Sequence, residues 1–245
     1  MSETGIYRDI AQRTGGNIYI GVVGPVRTGK STFIKRFMDV LVLPYMEDEH
    51  GKARTRDELP QSASGKTIMT TEPKFVPKDA AEISLFEDVK VKVRLIDCVG
   101  YMVEGAEGHI EGNTERLVKT PWSEQEISFT QAAEIGTRKV IHDHSTIGIV
   151  VTTDGSFSGI PRENYIVPEE KTIAELKSLG KPFVVILNSM KPYSDESTRI
   201  AEEISKKNNV RVISLNCQQI RKEDIHKILE CVLKEFPVME IEYFV

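Results

Sequence analysis

The stretch Gly24-Pro25-Val26-Arg27-Thr28-Gly29-Lys30-Ser31 fits the pattern G-x-x-x-x-G-K-S/T. It joins the apolar run NIYIGVVG (17–24) to the helical pattern STFIKRFMDVLVL (31–43). A loop of this kind demands a buried strand that opens directly into a helix N-terminus, which removes most all-α and all-β folds from consideration. Its successive backbone N–H groups and the helix N-terminus cradle phosphate. Lys30 brings a point charge to the β- and γ-phosphates, and the Ser31 hydroxyl brings a ligand for Mg²⁺. Gly24, Thr28, Gly29 and Thr32 complete the expected phosphate-binding set. The similar ending Gly65-Lys66-Thr67 has Pro60 in place of the first glycine and no buried strand before it, so it is not a second loop of this type.

The rest of the chain repeats the strand–helix unit. FEDVKVKVRLIDCVG (86–100) alternates Val89, Val91, Val93 and Leu95, as a strand wet on one side at its start does. FTQAAEIGTRKVIHD (129–143) reads as a helix, STIGIVVTTDG (145–155) as a buried strand, and EEKTIAELKSLG (169–180) as an amphipathic helix closed by Gly180, with the charge run EEKTIAELK as a solvated face. PFVVILN, DESTRIAEEISKKN, VRVISLN and KEDIHKILECVLKEF continue as strand, helix, strand and helix. This alternation predicts an α/β fold with a doubly wound, mostly parallel sheet and helices on both faces.

Composition narrows the function. The net charge of −5 and the absence of a basic stripe argue against nucleic acid as a partner. Three cysteines, Cys98, Cys217 and Cys231, fit a reducing interior better than a disulfide framework. The N-terminal MSETGIYRDIAQRTGG lacks the apolar core of a signal peptide. No window approaches the roughly 20 apolar residues of a membrane span. The expected location is the cytoplasm, with no transmembrane segment. The five histidines come with no set of Cys, Asp or Glu that completes a transition-metal site.

A second motif supports the first. Asp97-Cys98-Val99-Gly100 ends a strand with D-x-x-G, the spacing used by GTPase-like P-loop domains of the TRAFAC type. Asp97 is expected on the Mg²⁺ side and the Gly100 amide at the γ-phosphate. Between the two motifs lies GKTIMTTEPKFVP (65–77), the place of the first switch, where Thr70 or Thr71 would bind Mg²⁺ and orient the attacking water. The glutamine that positions water in many GTPases would follow Gly100, and Tyr101 stands there instead. Turnover is therefore expected to be slow or completed by another group. The polar stretch 101–128 occupies the second-switch position and reads as a long loop. Arg27 stands where some relatives carry an Asn that helps bind a potassium ion beside the phosphates, and its guanidinium could take that ion's place, within one subunit or across to a neighbour. The alternative is that it points outward and pairs with a carboxylate on 101–128.

VVILNSMKPY (184–193) bears on the base. A small GTPase carries Asn-Lys-x-Asp after this strand, and its Asp grips guanine. Here Asn188 remains, but Lys191 stands where the Asp would be. Lys carries only donors, so guanine would lose a charge-assisted pair worth about 1.5–3 kcal/mol. Adenine, with an acceptor at N1, suffers no such loss. Ser214-Leu215-Asn216 also departs from the usual Ser-Ala-Lys guanine loop. The pocket thus favours ATP, unless Lys191 points into solvent and base choice is made elsewhere.

Together GVVGPVRTGKSTFIKRFM, DELPQSASGKTIMTTEPKFVP, LIDCVGY, AAEIGTRKVI, HSTIGIVVTTDG and GKPFVVILNSMKPY closely resemble the stage IV sporulation protein A family. These are the spore-coat morphogenetic ATPases of endospore-forming bacteria. The resemblance covers essentially the whole chain. It implies a GTPase-related fold that hydrolyses ATP to drive self-assembly into a static platform around the forespore. Lys30 matches the family's phosphate-loop lysine, Thr70 and Thr71 its sensor threonines, and Asp97 its magnesium-side aspartate. Implied partners are further copies of the chain, other spore-coat morphogenetic proteins and a small membrane-bound sporulation peptide; the implied place is the mother-cell cytoplasm at the forespore surface. The expected organisation is an ATPase domain over 1–237, with 238–245 the start of a following region. Two other classes stay open: a regulatory GTPase-type switch, and a module that binds ATP with little turnover.

Overall fold

The computed structural model describes residues 3–60, 72–85, 89–111 and 114–237. In chain order the elements are α1 (Glu3–Arg13), β1 (Asn17–Val23), α2 (Lys30–Phe37), α3 (Glu49–Glu58), β2 (Lys74–Leu85) and β3 (Val89–Asp97). Four short strands follow: β4 (Ile110–Glu111), β5 (Thr114–Glu115), β6 (Leu117–Thr120) and β7 (Ser123–Ser128). Then come α4 (Phe129–Lys139), β8 (Ile147–Thr153), α5 (Glu163–Ser178), β9 (Phe183–Asn188), α6 (Asp195–Asn208), β10 (Val212–Leu215) and α7 (Lys222–Leu233).

Six strands form the central sheet in the order β10-β9-β8-β1-β3-β2. Every neighbouring pair is parallel except the edge pair β2–β3, which is antiparallel. The strand period of two explains how one run of apolar residues serves two faces. Ile20, Val22, Ile149, Val151, Val184 and Ile186 point into one core, shared with α1, α2 and α7. Their neighbours Val23, Val150, Val185 and Leu187 point into the other, shared with α5, α6 and the end of the α4 segment. The sheet is therefore mostly parallel and covered on both sides, as the alternation predicts. Gly180 takes φ 63 just past α5, in keeping with its predicted capping role. No helix among the described residues is long and apolar enough to cross a membrane.

Several elements depart from the sequence-based expectation. The edge strand β2, the N-terminal helix α1 and the polar helix α3 were not anticipated. The helices predicted over 31–43 and 129–143 stay α-helical only to Phe37 and Lys139, then widen into single π-turns at Met38–Val42 and Val140–His144. Helix α5 begins at Glu163, earlier than predicted, and carries Pro168 inside it. The polar stretch 101–128 is not an open loop. Val103 and Ala106 pack with Val26, Ile160 and Tyr165, and two small hairpins follow, β4–β5 and β6–β7.

The charge run EEKTIAELK (169–177), which reads as a solvated face, is also corrected. Glu169 is 1% exposed and accepts two bonds from Arg162, at 2.7 and 2.9 Å, and one from the Thr152 hydroxyl at the end of β8. The pair pins the start of α5 to the end of β8. Breaking such a pair leaves an uncompensated guanidinium, so Glu169→Ala is expected to cost about 3–5 kcal/mol of stability in urea unfolding. Exchange of both partners, Glu169→Leu with Arg162→Met, should recover most of that loss.

Candidate functional site

The parallel strands β1, β3, β8 and β9 deliver their C-terminal ends to one edge of the sheet, where open α/β sheets bind ligands. Strand β1 ends at Val23, and the loop 24–29 turns the chain into α2. Two glycines make the turn. Gly24 has φ 133, and a Cβ there would lie 2.3 Å from the Val151 carbonyl oxygen of β8. Gly29 caps α2 at φ 95, with Asn188 Nδ2 only 2.3 Å from where its Cβ would be. A larger residue at Gly24 would displace the backbone of β8, and one at Gly29 would displace the Asn188 side chain and strain a positive φ.

Within the loop, the buried Thr28 hydroxyl donates to the Pro25 carbonyl at 3.0 Å. The Lys30 ammonium is buried and donates to Pro25 O at 2.6 Å and Gly24 O at 3.3 Å. Burial pushes the Lys30 pKa down, opposed by the neighbouring Cys98 and Asp97. Ser31 and Thr32, half-buried, follow in the first turn of α2.

Strand β3 brings its end alongside. Asp97 Oδ2 accepts the Ser31 hydroxyl at 2.6 Å. Its other oxygen, Oδ1, is enclosed and has no hydrogen-bond partner among the described residues. Burial raises the Asp97 pKa, with the Ser31 bond and the Lys30 charge pulling the other way. A half-satisfied carboxylate beside a serine hydroxyl is a hard oxygen donor set, suited to Mg²⁺. Gly100, at φ 95, lies against the loop so closely that a Cβ would sit 2.0 Å from Gly24 O and 2.8 Å from Lys30 Nζ. Thus Lys30, Ser31, Asp97 and Gly100, drawn from two separate motifs, meet at one place.

Asn188 ends β9 and is buried, with its side chain turned to the protein. Nδ2 donates to the Thr28 carbonyl at 3.0 Å, and Oδ1 accepts the Cys217 amide at 2.9 Å. It braces the loop 24–29 against the segment after β10. Past it, Met190 and Lys191 are exposed; the Lys191 amide donates to Ser189 Oγ at 3.0 Å and the Met190 amide to Ser156 Oγ at 2.9 Å. Arg27 holds a left-handed φ of 65, unusual outside glycine. Desolvation lowers its pKa, while Tyr165 and Glu107 nearby act to raise it. Its electrostatic neighbours therefore include a carboxylate of the 101–128 stretch. Thr70 and Thr71 lie outside the described residues.

Sequence reasoning noted Tyr101 as a missing glutamine but not what it does. Tyr101 is 2% exposed, and its hydroxyl donates to Glu175 of α5. Arg138 of α4 also reaches Glu175, at 3.2 Å. The only sequence signal was the spacing of charges on two helices, which looks the same when they face water.

Residues 1–237 match the family described as stage IV sporulation protein A, ATPase domain. Stage IV sporulation protein A of Clostridioides difficile (strain 630) is 58% identical over 236 residues, which is 96% of this chain and 48% of that protein. The Bacillus anthracis and Bacillus subtilis (strain 168) proteins of the same name are each 52% identical over 241 residues, 98% of this chain and 49% of theirs. The chain spans about half the length of the curated relatives it matches. It belongs to the stage IV sporulation protein A family and contains that family's ATPase domain.

Proposed function

We propose that this chain binds ATP with Mg²⁺ at the loop 24–31 and hydrolyses it as a GTPase-like P-loop domain. Hydrolysis would drive self-assembly of a spore-coat platform on the forespore surface, with other coat morphogenetic proteins and a small membrane-bound sporulation peptide as partners. The observation that carries the reading is the meeting of Lys30, Ser31, Asp97 and Gly100 around one glycine-rich turn. A sheet order of β10-β9-β8-β1-β3-β2 with a single antiparallel edge supports the GTPase-like assignment.

Each residue has a task. The amides of the loop and the N-terminus of α2 surround the phosphates, and Lys30, released from Gly24 O and Pro25 O, turns its charge to the β- and γ-oxygens. Ser31, Asp97 and either Thr70 or Thr71 would hold Mg²⁺, which neutralises charge between the phosphates when bound. Asp97 Oδ1 is the acceptor left over for that purpose. The Gly100 amide meets the γ-phosphate. Arg27 supplies positive charge against the developing transition state. Asn188 fixes the loop, and Lys191, which is exposed, would have to turn in over the base to disfavour guanine. One observation favours the alternative of binding with little turnover: the Tyr101 hydroxyl, at the position of the water-orienting glutamine, donates to Glu175 of α5.

Three measurements test this reading. In competitive binding with fluorescent nucleotides, ATP should bind at least about tenfold more tightly than GTP, matching the lost charge-assisted contact. Equal or tighter GTP binding points to the regulatory switch instead. Lys30→Ala should weaken ATP binding, whereas Thr70→Ala or Thr71→Ala should leave binding within about twofold and cut phosphate release at least tenfold. Both threonine variants turning over at the parent rate would remove that segment from the mechanism. Arg27→Ala should slow turnover by about a hundredfold with little loss of ATP affinity, and the parent should need no potassium.

A further inference from the structure

Tyr101 stands where a GTPase would place its water-orienting glutamine, yet its side chain leaves the phosphate loop altogether. Its backbone and its ring face opposite ways. On the loop side, the Tyr101 carbonyl accepts the Val26 amide at 2.9 Å, and the preceding Gly100 packs on Gly24 O and Lys30 Nζ. On the far side, the ring is buried and its hydroxyl donates to Glu175 on α5. Glu175 is held in turn by Arg138 Nε at 3.2 Å and approached by His142 Nε2 at 3.6 Å. Lys171, one turn before Glu175, lies 4.5 Å from the centre of the Tyr101 ring. The phenol is thus closed in by four charged or ionisable side chains from α4, its π-turn extension and α5.

We propose that Tyr101 is a positioning residue, a strut from the α4–α5 surface to the phosphate loop that fixes the Gly100 and Val26 backbone for phosphoryl transfer. The inference rests on the nucleotide-hydrolysis reading above for its catalytic part. Anchored on Glu175, Tyr101 holds the main chain at residues 100–101 against the loop 24–29. Catalysis in such sites comes mainly from groups already in place, so a slack residue 101 lowers the rate of the chemical step more than it weakens binding. Most of the binding comes from the loop amides and Lys30, which the strut does not supply. Burial and the neighbouring Glu175 raise the Tyr101 pKa, so the phenol stays protonated and remains the donor.

Tyr101→Phe removes the hydroxyl and keeps the ring; Glu175→Gln keeps both side-chain shapes and weakens the acceptor, and serves if the first variant folds poorly. Two readouts are taken on each. In steady-state ATP hydrolysis, kcat should fall about tenfold, the value of one hydrogen bond to a charged group, with KM within about twofold. In hydrogen exchange of the chain without nucleotide, the Val26 amide should exchange about tenfold faster, while amides of β8 and β9 keep their protection. Unchanged kcat, or a fall in kcat matched by a rise in KM, overturns the catalytic role. An unchanged Val26 amide overturns the strut itself. A parent chain that releases no phosphate refutes the hydrolysis reading, and the exchange arm still decides whether Tyr101 holds the loop.

Discussion

Burying an ammonium group is costly unless other groups replace its water, and the environment of Lys30 is arranged around that need. The carbonyls of Gly24 and Pro25 accept its protons, with Cys98 and Asp97 close by. For those carbonyls to converge, the backbone must turn back on itself immediately after β1, which explains the left-handed φ at Gly24 and the crowding against Val151. For Asp97 and Gly100 to stand near Lys30, β3 must lie directly beside β1 in parallel register, Val22 against Asp97. The β1–β3 pairing, the glycine at 24 and the position of the second motif all serve to make one buried cation tolerable.

The strands that serve this arrangement were legible because burial on both faces leaves an uninterrupted apolar run. β1, β8 and β9 are nearly wholly buried, and their sequences say so. The elements that were missed lack such a signature. β2 interrupts its alternation with Pro77, Lys78 and Asp79, which an edge strand tolerates because one side faces solvent. Its pairing with β3 shifts register between Val76 and Ala81 around that interruption. α3 buries only Thr55, so no apolar stripe marks it. The hairpins within 101–128 are two to six residues per strand, below the length at which a period can be read.

At the candidate site, backbone-defined features were legible and side-chain geometry was not. The two glycine motifs name the loop and the strand end because only glycine permits the close approaches there. The direction taken by Tyr101 depends on Glu175 and Arg138, two residues on different helices whose charges look ordinary in sequence. Glu169 was misread for the same reason, since a carboxylate facing Arg162 in the interior and one facing water are the same letter. Pairing decided their burial, and pairing across elements leaves no local pattern.

Asn188 shows how a fold can divide constraint from freedom within four consecutive residues. Its amide satisfies a carbonyl of one segment and an N–H of another, so its removal leaves two buried polar groups without partners whatever ligand is bound. Two positions on, Met190 and Lys191 face solvent and contribute little to the packed interior. Over evolutionary time, a lineage built on this scaffold would keep the asparagine while the residues after it drift. A substitution at Asn188 is thus a fault of folding, whereas one at Met190 or Lys191 alters the chemistry of the surface and leaves the interior as it was.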